Sequence, residues 1–272
     1  MSEHPATSTV YRCDDEAAMT TGVAAAVDAV RDGGLVVMPT DTVYGIGCDA
    51  FDPTAVSALL AAKGRGRQVP PPVLVPGPAT VDGLATDVPA YARDLIDSFW
   101  PGPLTLVLRA QASLVWDIGE TNGTVALRMP DHPVALAVLR AVGPMAVTSA
   151  NRTGQPAATT VQGAQEQLGD AVAVYLGTSA PPVEEALPST IVDCTGARPH
   201  ILRQGALPQT EIDRVVDAAT AAADAAAAQE RRAYNDALAA AERARRREAA
   251  AQARAADPRR NAPRVAGARR RS

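Results

Sequence analysis

The stretch LVVMPTDTVYGIG occupies residues 35–47 and joins a short apolar run to a polar segment that contains two glycines. Residues 35–38 have the length and composition of a buried strand, which Pro39 ends. Two hydroxyls, a carboxylate and a phenol follow within residues 40–44, and the glycines after them permit a turn or a close approach to a ligand. Because α/β proteins bind ligands at strand ends, this segment is a candidate site. A turn held by Asp and Thr side chains is the alternative.

Helix and strand patterns alternate from residue 14 to about residue 208. The spacing of apolar residues, together with Asp, Pro and Gly at the ends, predicts helices over 15–32, 53–63, 89–99, 133–142 and 161–168. Strands are predicted over 35–38, 73–75, 104–109, 124–128, 145–148, 172–176, 190–193 and 200–202. Alternation of this kind predicts an α/β fold with a twisted, largely buried mixed sheet and flanking helices.

The composition changes after Pro208. Residues 211–254 are rich in Ala, Arg, Glu and Asp, which favour a helix, but hold few large apolar side chains for it to pack with. We expect a solvated arm, with a partner-binding segment as the alternative, and disorder from Asp257 onward. The predicted organisation is a catalytic domain over 14–208 and an Ala/Arg-rich tail over 209–272, helical then disordered, that takes no part in catalysis.

The charge is distributed unevenly. The chain has 272 residues and a formal net charge of −4, yet residues 229–272 hold thirteen Arg against five Asp and Glu, so the remainder is strongly acidic. An acidic body with 3% aromatic residues does not suit nucleic-acid binding, although the basic tail could hold an anionic partner loosely.

Targeting and metal-binding patterns are absent from the sequence. The first nine residues are polar and have neither a basic nor an apolar stretch, and no apolar run reaches eighteen residues. We therefore expect a cytoplasmic protein that does not enter a membrane. Three cysteines and three histidines lie far apart, which predicts neither a disulfide framework nor a bound metal.

Further polar groups recur near strand and helix ends. Lys63, Arg65 and Arg67 are separated by glycines at a helix end and could converge on one anion, although the helix dipole also favours cations there. Lys63 is the one lysine among 26 basic residues. Thr124 and Arg128 share one face of a strand. The remaining candidates are Thr148, Ser149, Asn151 and Thr159, and then Ser189, Thr190 and Arg203. No Ser/His/Asp or Cys/His set is evident, so the chemistry would rest on positioning and electrostatics.

Six of these motifs occur in a family-specific order. PTDTVYGIG, KGR, TVALRMPDHP, TSANRTG, PSTIVD and ILRQGAL span roughly residues 33–207, and together they resemble the YrdC-like family of threonylcarbamoyl-AMP synthases. The resemblance implies a twisted α/β sheet around a concave basic cleft. It also implies an enzyme, a nucleotidyltransferase that makes an activated intermediate from L-threonine, bicarbonate and ATP and releases pyrophosphate. That intermediate serves the threonylcarbamoyl modification of tRNA adenosine beside the anticodon.

The resemblance also implies roles for individual residues. Around threonine it places Thr42, Tyr44, Arg128, Ser149 and Ser189. Around ATP it places Arg65, Thr124, Asn151, Thr159 and Arg203. Lys63 and Arg65 are the catalytic pair, and Mg²⁺ accompanies ATP. Other tRNA-modification proteins are the expected partners downstream, and direct nucleic-acid binding is weak if it occurs.

The chain departs from the family pattern in one region. Gly66, Val69, Pro71 and Leu74 stand where the family usually continues with Pro, Asn-Pro-Leu and Val-His, so Val69 and Leu74 are given no ATP or threonine contact. The tail lacks a strand pattern, which indicates the short form of the family. Two rival functions remain: a double-stranded-RNA-binding module, and a paralogue of the fold that acts on another substrate.

Overall fold

A mixed β-sheet with helices on its faces forms the body of the protein. The computed structural model describes residues 8–179 and 186–255. Contacts divide the chain into two units, Met1–Ala219 and Thr220–Ser272. The fold class predicted from the sequence is confirmed for the first unit. The structure differs from the sequence-based expectations at the boundaries of this unit and at the glycines of residues 45–47.

The strands, in chain order, are β1 (Thr9–Arg12), β2 (Val36–Met38), β3 (Gly45–Asp49), β4 (Val73–Leu74), β5 (Ala85–Thr86), β6 (Leu104–Ala110), β7 (Thr124–Arg128), β8 (Met145–Ser149), β9 (Val174–Gly177), β10 (Thr190–Asp193) and β11 (His200–Arg203). Their order in the sheet is β1-β9-β2-β3-β8-β4-β7-β6-β10-β11, with β5 added beside β6. Parallel and antiparallel pairs alternate irregularly along it. β4 runs parallel to β7, for example, and antiparallel to β8.

The helices are α1 (Glu16–Arg31), α2 (Pro53–Lys63), α3 (Val81–Leu84), α4 (Ala90–Phe99), α5 (Pro133–Val142), α6 (Val161–Leu168) and α7 (Gln209–Ala255), with short 3₁₀ turns at Pro78–Thr80 and Gly169–Ala171. Side chains cap several of them. Asp15 accepts a hydrogen bond from the first turn of α1, Asp52 does so for α2, and Thr160 for α6. At the other end of α2, Gly64 has φ +61°, the left-handed conformation in which a helix commonly stops.

Hydrophobic residues fill both faces of the sheet. In β2, the side chain of Val37 belongs to the larger core, which includes Leu59 and Leu106. Its neighbours Val36 and Met38 belong to a second core beneath α1 and α5. A strand that is buried on both faces reads as a continuous apolar run, which explains why residues 35–38 carry no polar alternation.

The glycines of the opening motif lie in a strand that was not among the predicted ones. Gly45 and Gly47 belong to β3, which pairs with both β2 and β8 inside the sheet. A Cβ on Gly45 would meet Val147 Cγ1 at 2.8 Å, and one on Gly47 would meet Val147 Cγ2 at 2.6 Å. Both distances are shorter than ordinary van der Waals contact, so these glycines make room for the valine of the neighbouring strand.

The boundaries of the folded body also differ from the predicted 14–208. β1 precedes residue 14 and pairs in parallel with β9. Beyond residue 208, Ile212 and Val216 on the first turns of α7 are buried in the larger core. Four residues apart on a helix, these two side chains share one face, and that face packs.

The described part of the second unit is the rest of α7, from residue 220 to residue 255. Its side chains from residue 220 to residue 254 are almost all exposed, including those of Tyr234 and Leu238. A helix here was predicted, and α7 confirms it. The predicted disorder from Asp257 lies outside the residues that the structure describes.

Candidate active site

A cleft of about 770 Å³ opens where the ends of several strands meet. Its volume lies in the range of small-molecule sites, roughly 300–1,000 Å³. The walls come from the segment after β2, the end of α2, strand β7, the segment after β8, and the residues around β10 and β11. Ten of the eleven predicted site residues line it: Thr42, Tyr44, Lys63, Arg65, Thr124, Arg128, Ser149, Asn151, Ser189 and Arg203.

Thr159 is the predicted site residue that does not join the cleft. Its side chain is exposed, and the lining contributed by this segment runs from Asn151 to Ala157. The carbonyl of Ala158 accepts a hydrogen bond from the Tyr44 N–H at 3.0 Å, and the Ala158 side chain is buried. Thr159 therefore lies outside the cleft lining, and its contact with ATP stays a prediction.

Hydroxyl groups brace the segment that follows β2. Thr40 Oγ1 donates to the carbonyl of Val43 at 2.6 Å and lies 3.1 Å from Thr42 Oγ1. The same oxygen accepts from the Thr42 N–H at 3.2 Å. The carbonyl of Tyr44 accepts from the Ala150 N–H at 2.7 Å, which joins this segment to the one after β8. Such local bonds hold Thr42 at the wall of the cleft.

Lys63 is buried and its ammonium group is fully engaged. Nζ donates to the carbonyl oxygens of Ser149 and Asn151, and to Asn151 Oδ1 at 3.1 Å. Burial, and to a lesser degree the charge of Arg65, lowers the pKa of Lys63 to about 8. The sequence interpretation gave this ammonium to the reacting centre. In the structure it holds the turn that carries Ser149 and Asn151, two other predicted site residues.

Arg65 stands near this lysine, and Arg203 stands near Arg65. Arg65 Nη1 donates to Thr148 Oγ1 at 3.2 Å, and Arg203 donates to the carbonyl of Ser189 through Nε at 3.2 Å and Nη2 at 2.7 Å. Burial lowers the pKa of both arginines, and the charge of Arg65 lowers that of Arg203 further. Among the residues that the structure describes, no carboxylate forms a salt bridge with Lys63, Arg65 or Arg203. Uncompensated positive charge of this kind favours an anionic ligand.

The Arg128 guanidinium donates three hydrogen bonds. Nε donates to the carbonyl of Gly102 at 3.0 Å, Nη1 to Thr42 Oγ1 at 3.0 Å, and Nη2 to Asp41 Oδ1 at 2.6 Å. Burial lowers the pKa of Arg128, and the Asp41 carboxylate opposes that effect. Thr124 lies four residues earlier on β7 and also lines the cleft, as the period of the strand predicted.

Ser189 is held by residues from two other strands. Its Oγ lies 2.8 Å from Thr105 Oγ1 of β6 and accepts from Arg203 Nη2 at 3.2 Å. The adjacent Thr190 is buried, donates to the carbonyl of Leu207 at 2.7 Å and accepts from the Gly205 N–H at 2.9 Å. These bonds hold the residues that follow β11 beside Ser189.

The sequence interpretation gave no individual role to Asp41 and Thr105, which contact predicted site residues, whereas Thr148 was among its candidates. Asp41 and Thr148 belong to quoted motifs, whereas Thr105 is a hydroxyl within the otherwise apolar run 104–108, which was the available signal. Val69 and Leu74, the departures from the family pattern, both line the cleft with apolar side chains.

The chain is similar to proteins of one known family. The family model Sua5_yciO_yrdC, described as "Telomere recombination", matches residues 28–205. The chain belongs to this family. A protein of Mycobacterium tuberculosis (strain H37Rv) that carries the provisional name threonylcarbamoyl-AMP synthase is 54% identical over 212 residues, which cover 77% of this chain and 97% of that one.

More distant relatives carry the name without qualification. The threonylcarbamoyl-AMP synthase of Pyrococcus abyssi is 36% identical over 69% of this chain, but the match spans only 55% of that longer protein. The crystal structure of P. abyssi Sua5 complexed with L-threonine is 33% identical, with a TM-score of 0.69, and covers 76% of this chain and 60% of that one. E. coli YciO is 23% identical with a TM-score of 0.64 and shares the fold. Among the described residues, no helix is long and apolar enough to cross a membrane.

Proposed function

We propose that the protein is an L-threonylcarbamoyladenylate synthase, which makes threonylcarbamoyl-AMP from L-threonine, bicarbonate and ATP. The observation that carries the proposal is the cluster of Lys63, Arg65 and Arg203, which has no carboxylate partner within the described part of the chain, in a cleft of suitable volume that also contains Arg128. The names of the relatives support the same reaction, since they include a P. abyssi protein with L-threonine bound.

The reaction couples two condensations. The threonine amine attacks bicarbonate, and loss of water leaves a carbamate. A carbamate oxygen then attacks the α-phosphorus of ATP, and the bond from that phosphorus to the bridging oxygen breaks. Pyrophosphate leaves with the electron pair. Phosphoryl and nucleotidyl transfer depend mainly on positioning and on neutralising charge, which suits a cleft with several cations and no evident nucleophile.

The residues of the cleft divide between the two substrates. Arg128 can bind the threonine carboxylate, with the hydroxyls of Thr42, Ser149 and Ser189 and the ring of Tyr44 around the amino acid. Thr124, Asn151 and Arg203 face ATP. Arg65 meets the charge that develops at the α-phosphate, and Lys63, whose N–H groups hold the turn of Ser149 and Asn151, adds positive charge near Arg65. Mg²⁺ enters with ATP as part of the substrate, since Mg²⁺ in such sites is bound largely by the phosphate oxygens.

The wider setting follows from the product. Threonylcarbamoyl-AMP serves the modification of tRNA adenosine beside the anticodon, so proteins that transfer the group to tRNA are the expected partners, and the cytoplasm is the expected compartment. Binding of double-stranded RNA by the cleft is disfavoured, since the body of the chain is acidic and poor in aromatic residues. A paralogue that acts on a different amine remains an outcome of the test.

The test measures pyrophosphate release by the full-length protein with MgATP. We expect release only when L-threonine and bicarbonate are both present, and a product whose mass rises by one unit with ¹³C-bicarbonate. Arg128→Lys should lose most of this activity, whereas Arg140→Lys, on the exposed side of α5, should keep it. Release that is unchanged without threonine would refute the proposal, and release that depends on another amine would identify the paralogue.

A further inference from the structure

A buried ion pair stands at the wall of the cleft, between the segment after β2 and the end of β7. Asp41 Oδ1 and Arg128 Nη2 are 2.6 Å apart, and their side chains are 14% and 8% exposed. Two other Asp–Arg pairs in the described residues have the same 2.6 Å separation, Asp117–Arg67 and Asp82–Arg93, but their side chains are about half exposed. Exposed ion pairs contribute little to stability, whereas removal of one partner from a buried pair leaves an uncompensated buried charge.

The pair fixes the direction of the Arg128 side chain. A guanidinium has five N–H groups, and three of them donate to Gly102, Thr42 and Asp41. One N–H on each terminal nitrogen has no acceptor among the described residues. Two such groups are the number that a bidentate carboxylate contact requires, and Arg128 lines the cleft.

Asp41 is itself anchored from the far side of the pair. Its Oδ1 also accepts from the Asp131 N–H at 3.0 Å, so one oxygen joins the segment after β2 to the chain that follows β7. Its Oδ2 is buried and has no hydrogen-bond partner within the part of the chain that the structure describes. Since Asp41 does not line the cleft, it acts on a ligand through Arg128.

The charges around Arg128 oppose each other. Arg203 carries a like charge near enough to lower the pKa of Arg128, and Asp41 raises it. Loss of the carboxylate charge would therefore leave the guanidinium with the repulsion of Arg203 and with only a neutral group where its charged acceptor now lies at 2.6 Å. We expect the side chain to rotate away from its present direction.

We propose that Asp41 is a positioning residue for amino-acid binding: it holds the Arg128 guanidinium so that the two remaining N–H groups meet the substrate carboxylate. This inference rests on the proposed function. It opposes a simpler role in which Asp41 only neutralises a buried charge. The two roles predict opposite changes in threonine affinity when Asp41 is replaced. Removal of a merely neutralising charge would leave Arg128 more attractive to a carboxylate and would tighten threonine binding.

The test is Asp41→Asn in the full-length protein, with the KM for L-threonine, the KM for ATP and the dissociation constant of L-threonine from calorimetry. We expect the threonine KM and dissociation constant to rise at least tenfold and the ATP KM to change less than twofold. Asp82→Asn is the matched control, since it makes the same substitution in a pair of the same length that does not line the cleft. It should leave all three constants unchanged.

A double-mutant cycle tests whether Asp41 acts through Arg128. In an Arg128→Lys background, Asp41→Asn should change threonine affinity less than twofold, because the group that it positions is gone. A full tenfold effect in that background, or unchanged or tighter threonine binding in the single variant, would overturn the inference. If Asp41→Asn does not fold, Asp41→Glu replaces it. Its extra methylene displaces the guanidinium while the charge remains, and the same selective rise in the threonine constants is expected.

The two hypotheses fail in different ways. If the unmodified protein neither binds L-threonine nor needs it for pyrophosphate release, the proposed function fails. If the unmodified protein needs threonine and Asp41→Asn binds it normally, only the role of Asp41 fails.

Discussion

Lys63→Arg is the substitution for which the structure gives the sharpest expectation. It retains a positive charge and replaces the one lysine of the chain with the basic residue found everywhere else. The ammonium of Lys63 brings three N–H groups from a single nitrogen to three oxygens of Ser149 and Asn151. A guanidinium spreads its donors over three nitrogens in a plane and cannot reproduce this convergence.

The size of the effect follows from these contacts. The Lys63 side chain is only 3% exposed, so a longer planar group must displace the turn that contains Ser149 and Asn151. Losing one charge-assisted hydrogen bond costs about 1.5–3 kcal/mol. A loss of about 2.7 kcal/mol from the transition state corresponds to roughly a hundredfold in turnover. We therefore expect turnover to fall about a hundredfold or more.

The assay is threonine- and bicarbonate-dependent pyrophosphate release, together with ATP binding by calorimetry. ATP affinity should change far less than turnover, because Arg65 and Arg203 remain. Arg140→Lys, an exposed exchange of the same two residue types, is the control. Near-normal turnover in Lys63→Arg would refute the reasoning, since it would mean that the position needs only a positive charge.

Three further predictions concern other parts of the body. Truncation after Pro208 should lower the melting temperature by several degrees, because it removes Ile212 and Val216 from the core at about 1.5–3 kcal/mol each, whereas truncation after Ala219 should not. Unchanged activity in both truncated proteins, together with the same melting temperature for both, would contradict this prediction. Thr105→Val removes the hydroxyl 2.8 Å from Ser189 Oγ and should raise the threonine KM several-fold while the ATP KM stays constant. Equal changes in both constants would indicate a general structural role. Finally, the pKa of Lys63 falls from 10.5 in an unfolded chain to about 8 in the fold, so between these values the unfolded state binds more protons. The stability of the protein relative to Lys63→Met should therefore increase as pH rises from 8 to 10.5, by at most about 3 kcal/mol in denaturant titrations, and a decrease would exclude the lowered pKa.

The sequence predicted those parts of the site that depend on local pattern. Thr124 and Arg128 could be placed on one face because the period of a strand is fixed, and β7 has the predicted bounds. The bounds of helix α2 could also be predicted, since Asp52 caps its start and Gly64 ends it. The cleft residues lie where strands and helices end, and those ends carry clear signals.

Features that depend on contacts between distant segments were not predicted. The Asp41–Arg128 pair joins residues 87 positions apart, and nothing near Asp41 in the sequence indicates its partner. β3 was not predicted because its glycines permit a turn, and the reason for these glycines lies in Val147 on another strand. Ile212 and Val216 did carry a signal, a spacing of four, but the Ala-rich composition around them favoured an unpacked helix.

The contact of Gly45 and Gly47 with Val147 has a consequence for how such proteins can vary. Each γ-methyl of one valine occupies the space in which one of the two glycines would place a side chain. A change from glycine to alanine at either position is therefore tolerable only with a smaller residue at 147, and the three positions should change together among relatives. Because Val147 also lines the cleft, such a change would alter the volume of the site. In this family, the side chains that let β3 pair closely with β8 should therefore vary together with the shape of the substrate cleft.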